Sequence, residues 1–70
     1  MRTEGEKNTK LERIPYREGR IELHRAGRGL LKALVYLPGA RMCEPHFPSG
    51  SDRETVIAEA NRIMDARLES

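Results

Sequence analysis

The stretch Ser51-Asp-Arg-Glu54-Thr-Val56-Ile57-Ala-Glu59-Ala60-Asn-Arg62-Ile63-Met64-Asp65-Ala-Arg-Leu68 decides what this chain can be. Val56, Ile57, Ala60, Ile63, Met64 and Leu68 recur at the steps that gather on one side of a helix. Glu54, Glu59, Arg62 and Asp65 fall mostly outside that stripe. Ser51-Asp-Arg-Glu54 has the form of a capping box, with the Ser51 hydroxyl accepting from the third helical amide and Glu54 reaching back. Asp52 and Glu54 also suit the positive end of the helix dipole. The pattern predicts a helix from about Asp52 to Leu68 whose apolar stripe needs a surface to cover.

Upstream, the period changes from helical to extended. In Arg20-Ile-Glu-Leu-His-Arg25, Ile21 and Leu23 point one way and Arg20, Glu22 and His24 the other, as in a half-buried strand. Ala26-Gly27-Arg28-Gly29 follows as a glycine-containing hairpin loop. Leu30 to Leu37 is the most hydrophobic run: Leu31, Ala33, Val35 and Leu37 line one face, and Leu30, Lys32, Leu34 and Tyr36 the other. Bulk on both faces suits a central strand. Pro38-Gly39 fits the middle of a type II turn. Arg41 to Phe47 is expected to return as an edge strand irregular at Pro45, with Phe47 as a core anchor. Before the first clear strand, Ile14 and Tyr16 fall on one face of an extended Leu11–Tyr16 segment that Pro15 assigns to an edge, and Glu18-Gly19 supplies a turn.

Residues 1–10 hold no hydrophobic group after Met1 and cannot offset the entropy of ordering. We therefore set the organisation as a disordered N-terminal tail over 1–13 and a single small α+β domain over 14–70. The fold class expected is α+β, a three-stranded antiparallel meander packed against one C-terminal helix. A chain of 70 residues has a marginal core, and Cys43, the only cysteine, can form no intrachain disulfide. Good packing and self-association are the routes to stability that remain. The lone thiol, the absence of a signal-like apolar segment and the short apolar run Ala33–Leu37 predict a soluble, cytoplasmic chain with no membrane contact.

The net charge of +2 hides an asymmetry. Residues 1–41 carry ten Lys/Arg against five Glu, and residues 42–70 three Arg against six Asp/Glu. A basic half suits an anionic partner, and arginine, which dominates it, presents a planar fork to phosphate or carboxylate. Arg20 and Lys32 are expected on the sheet face opposite the helix, with Arg25 and Arg28 at the hairpin end. Those four are the candidate nucleic-acid contacts, since sheet elements can enter a major groove. Leu30, Leu34 and Tyr36 share the same expected face and are the candidate protein-interaction surface, because exposed apolar groups mark association sites.

Cys43-Glu-Pro-His46 has a C-x-x-H spacing that, with His24 and a carboxylate, would make a zinc ligand set. No second ligand pair accompanies it, and the expectation is a partly buried thiol beside an exposed imidazole, with His24 solvated on its strand. Gly27-Arg28-Gly29 is not a phosphate loop: it lacks the required lysine and precedes a strand.

Leu37-Pro38-Gly39, followed by Gly50-Ser-Asp-Arg-Glu54-Thr-Val-Ile57-Ala-Glu-Ala60, resembles the HicB-type antitoxin domain and short uncharacterised bacterial proteins of strand-strand-strand-helix type, over residues 20–68. The link from Gly39 to Gly50 is longer than that family's. The resemblance implies a module that sequesters a partner, and it carries over no functional residue. The leading expectation is thus a small non-catalytic protein-interaction module, antitoxin-like or phage-accessory, forming a homodimer or binding a protein partner. The alternative is a nucleic-acid-binding module. No catalytic residue, metal, cofactor or small-molecule substrate is expected.

Overall fold

Ile21 and Leu23 enter the same layer as Ala33 and Val35 because their strands pair antiparallel with Ile21 opposite Val35 and Leu23 opposite Ala33. In the computed structural model the described residues are 9–69, and these strands are its centre. β1 (Thr9–Tyr16) runs beside β2 (Gly19–Gly27), which pairs with β3 (Leu30–Tyr36). A two-residue β4 (Ser49–Gly50) then completes the sheet in the order β1-β2-β3-β4. The helix α1 (Arg53–Glu69) lies across one face. This is the α+β meander with one C-terminal helix that the sequence predicts.

Val56, Ala60 and Met64, each four residues apart, are the helix side of the core. They close on Ile21, Leu23, Ala33 and Val35, all at most 2% exposed. Ala60 has no bulk beyond Cβ, so helix and sheet approach closely there. Ile14, Tyr16, Leu31, Leu37, Ile57 and Ile63 form a half-buried rim around this centre.

The helix start differs from expectation. Asp52, not Ser51, caps it: one Asp52 carboxylate oxygen accepts from the Thr55 amide at 3.0 Å and from the Thr55 hydroxyl at 2.5 Å. The two hydrogen bonds hold the Asp52 carboxyl below its usual range, the hydroxyl contact contributing most. A charged cap also complements the helix dipole, which a serine hydroxyl does not.

The first turn is also displaced. Arg17 and Glu18 take its positive φ values, 51° and 70°, instead of Glu18-Gly19. Gly19 is needed for space: a Cβ there would collide with the Tyr36 carbonyl oxygen and lie 3.0 Å from Met64 Cε. The second turn is Arg28-Gly29, tighter than the four-residue loop expected, because β2 continues to Gly27 with a bulge after Arg25. Pro38-Gly39 forms the type II turn, with Gly39 at φ 77° and the Ala40 amide donating to Leu37 O at 2.9 Å.

Arg41–Phe47 does not form a strand. Pro45 and Pro48 have no amide to donate. Instead the connection seals the β3 edge piecemeal: Glu44 N donates to Val35 O at 2.8 Å and Ala33 N donates to Pro48 O at 3.0 Å. Only Ser49 and Gly50 enter the ladder. Phe47 is 40% exposed and outside the core, and the buried group in this stretch is Pro48.

β1 begins at Thr9, so residues 9–13 belong to the sheet and not to the tail assigned to 1–13; the rest of that tail lies outside the described residues. Strand pairing is a backbone interaction, and the length of β2 offers Thr9 and Lys10 the partners Arg25 and His24. A bulge at Leu11 shifts the register, and Pro15 sits near the far end of this outer strand.

Candidate nucleic-acid interface

Directly paired residues of an antiparallel sheet share a face. Arg13 pairs with Glu22, Pro15 with Arg20 and Lys10 with His24. On the other side Glu22 pairs with Leu34, Arg20 with Tyr36, and His24 with Lys32. All of these lie on the face that α1 does not cover.

Glu22 is the centre of that face and is only 5% exposed. Arg20 donates from Nε to one Glu22 oxygen at 2.8 Å, and Lys10 Nζ lies 3.6 Å from the same oxygen. His24 Nε2 is 3.2 Å from the other oxygen, and against an ionised carboxylate it must be the donor. Burial by itself would raise the Glu22 carboxyl, but the hydrogen bonds from Arg20 and His24 and the charges of Lys10 and Arg20 outweigh it and hold the group low. His24, expected to be solvated, has a side chain only 13% exposed. The carboxylate two residues before it on the same face draws the ring down onto the sheet.

Arg20 also lies over an aromatic ring. Its guanidinium carbon is 3.9 Å from the centre of Tyr36, its cross-strand partner. Lys32 Nζ is 5.7 Å from the centre of the Phe47 ring. Both contacts are of cation–π type and fix a cation in position.

The charge is segregated. Lys10, Arg13, Arg20 and Lys32 set four cations on the open face against the single carboxylate of Glu22. Arg25 and Arg28 stand exposed at the β2–β3 hairpin tip, and no Asp or Glu occurs between Glu22 and Glu44. On the helix side, acids are plentiful and several are paired. Glu12 accepts from Arg53 at 2.6 Å, and Arg17 donates to Asp65 at 2.8 Å and to Glu69 at 3.1 Å. Arg67 meets Glu44 at 3.1 Å. The Tyr16 hydroxyl donates to Asp65 as well, at 3.0 Å and 3.1 Å to its two oxygens.

The residues singled out from sequence are distributed as follows. Arg20 and Lys32 do share the open face, while Arg25 pairs with Leu31 and so has the opposite parity, at the hairpin end with Arg28. Leu30, Leu34 and Tyr36 share the open face too, Leu30 being 41% exposed and the other two half-buried. Glu22, Lys10 and Arg13 were not singled out. The signal for Glu22 was its position midway between Arg20 and His24 at two-residue spacing. Lys10 lies ahead of any apolar alternation, whereas the spacing of Ile14 and Tyr16 already sets Arg13 on the opposite face of its strand. Cys43 is half-buried and His46 exposed, and among the described residues no three His, Cys, Asp or Glu are grouped to hold a metal.

Among the described residues no helix is long and apolar enough to cross a bilayer. Compared with protein-family models, curated proteins and solved structures, the chain matches none.

Proposed function

We propose that this protein is a small binding module whose open sheet face and β2–β3 hairpin tip engage duplex nucleic acid. The observation that carries this reading is the segregation of charge. One face and one end of the molecule collect Lys10, Arg13, Arg20, Arg25, Arg28 and Lys32 around a single carboxylate that is itself buried and neutralised. A polyanion gains from every one of these groups, chiefly by releasing its condensed counterions. The dimensions suit a duplex. Two strand spacings span about 10 Å, and a major groove is about 12 Å wide.

A second reading, the protein-interaction module of antitoxin-like or dimeric type, draws on Leu30, at 41% exposure, and on its neighbours Leu34 and Tyr36. A symmetric dimer burying this face would oppose two sets of the same cations, which disfavours it against a polyanion.

The test is fluorescence anisotropy with a labelled duplex of about two helical turns across a salt series. For four to six phosphate contacts, log K should fall against log salt with a slope of roughly −4 to −5. Replacing Arg25 and Arg28 together by Ala should make the slope shallower by about two. Absence of duplex binding at low salt, with a dimer in sedimentation equilibrium that dissociates in Leu30→Asp or Leu34→Asp variants, would replace this reading by the second.

A further inference from the structure

Six cations line this face and tip, and Arg20 is held on two sides, by a carboxylate and by an aromatic ring. Its Nε is committed to Glu22 at 2.8 Å and its guanidinium lies on the Tyr36 ring at 3.9 Å. Its side chain is still 38% exposed. Among the described residues the Arg20 side chain makes no other hydrogen bond, which leaves its two terminal Nη groups as a pair of donors for an outside acceptor. Glu22 is in turn fixed by His24 and Lys10. Arg20 is also central: β2 has β1 on one side and β3 on the other, and Arg20 lies between Pro15 and Tyr36.

A phosphate can be met from many angles, and a mobile lysine or arginine meets it as well as a braced one. Bracing matters when the acceptors form a planar pair that must be matched edge to edge. In a duplex groove the walls are phosphates and the floor is base edges, so the outer strand and the hairpin tip face the walls and the middle of the sheet faces the floor. Resting on the duplex-binding reading above, we infer that Arg20 is a base-reading residue, its two Nη groups taking the O6 and N7 of a guanine. Glu22 and Tyr36 are its positioning residues.

The experiment selects duplexes from a pool with a randomised core, then measures affinities by anisotropy at moderate salt. The wild-type protein should prefer guanine at one position over the other bases by about five- to a hundredfold. Replacing that guanine with 7-deazaguanine, which removes N7 alone, should abolish most of the preference without any change to the protein. Arg20→Lys keeps the charge and loses the fork: affinity for non-preferred duplexes should stay within about threefold while the preference disappears. Glu22→Gln should reduce the preference and leave the salt slope unchanged, with thermal melts confirming that each variant is folded. Arg25→Ala should weaken all sequences alike.

Preference retained in Arg20→Lys, or untouched by 7-deazaguanine, overturns the inference and leaves the duplex reading standing. A wild type without preference, weakened equally on all sequences by Arg20→Ala, makes Arg20 a phosphate contact and likewise overturns it. A wild type that binds no duplex at low salt overturns both.

Discussion

Replacing Gly19 by Ala should unfold a large part of this protein's margin, although one methyl group is all that is added. The new Cβ would collide with the Tyr36 carbonyl oxygen and approach Met64 at 3.0 Å from Cε and 3.2 Å from Sδ. The methionine end is fully buried and gives only by repacking the core, and the carbonyl cannot give, because Tyr36 is paired with Arg20 in the ladder. Restoring an ordinary carbon–oxygen separation of about 3.3 Å or more forces the strands apart at that pair. The expected losses are about 0.5–1.5 kcal/mol for a weakened ladder hydrogen bond and about 1–3 kcal/mol for overpacking at fully buried Met64. Together they come to about 1.5–4.5 kcal/mol, against about 4–10 kcal/mol for the whole stability of a chain this size. With a urea m-value near 1 kcal/mol per molar, the midpoint should fall by about 1.5 M or more. The assay is urea unfolding followed by circular dichroism, with Gly27→Ala as control. A Cβ at Gly27 meets nothing within 4 Å. That variant should be unchanged or gain up to about 1 kcal/mol through the unfolded chain. Equal midpoints for wild type and Gly19→Ala would refute the close approach of β2, β3 and α1 on which the packing account rests.

The cap assignment is separable by two substitutions: Asp52→Ala should lose about 1 kcal/mol in the same urea assay, whereas Ser51→Ala should change it by a few tenths at most. Glu18, at φ 70°, holds a conformation that costs a side chain about 1–2 kcal/mol, so Glu18→Gly should raise the urea midpoint slightly after the glycine's extra unfolded freedom is subtracted. Glu22, Asp52 and Asp65 all have folded-state carboxyls below their unfolded values of 4.5, 3.8 and 3.8. Their contribution is complete above those values and is lost as pH falls through the lower folded ones, so thermal melts should show a fall in stability beginning near pH 4.5 on acidification. Tyr16 runs the other way: its hydrogen bond to Asp65 raises the phenol above 10.0, so its contribution is complete below that value and fades as pH climbs through the folded one. Absorbance at the phenolate band should show a late-ionising tyrosine that Asp65→Asn returns toward the ordinary range.

What was legible in the sequence was whatever one-dimensional periodicity encodes. Ile21 and Leu23 alternate with Arg20, Glu22 and His24 because a real layer divides them, and Val56, Ala60 and Met64 recur because one helix flank is buried. Pro38-Gly39 was readable because its turn is made by two residues whose own backbone preferences impose it. The misplacements have a common cause in partners distant along the chain. Gly19 looked like a turn glycine, yet what requires it are Tyr36 and Met64. Phe47 looked like a core anchor, but the prolines around it keep the segment out of the ladder and leave the ring 40% exposed beside Lys32. Thr9 and Lys10 looked like tail because nothing apolar marks them, while their pairing is supplied by the backbone of β2. Within the candidate interface, the face of Arg20 and Lys32 followed from alternation alone. The burial of Glu22 did not, since it arises from Arg13 and Leu34 on neighbouring strands and from the side chains that close over it.

The two long sides of this sheet have unequal prospects for growth. The connection before the helix occupies the β3 side with hydrogen bonds at Ala33 and Val35 and with the pair Ser49-Gly50. On the β1 side, between the bulge at Leu11 and the imino nitrogen of Pro15, only Glu12, Arg13 and Ile14 form an uninterrupted run among the described residues. A run that short is a poor foothold for a foreign strand, and the charges of Glu12 and Arg13 flank it. On the duplex-binding reading proposed above, many copies would lie side by side on a charged polymer without their sheets stitching into a continuous ribbon. Crowding along a ligand, which endangers proteins with a bare and regular outer strand, is a condition this architecture tolerates.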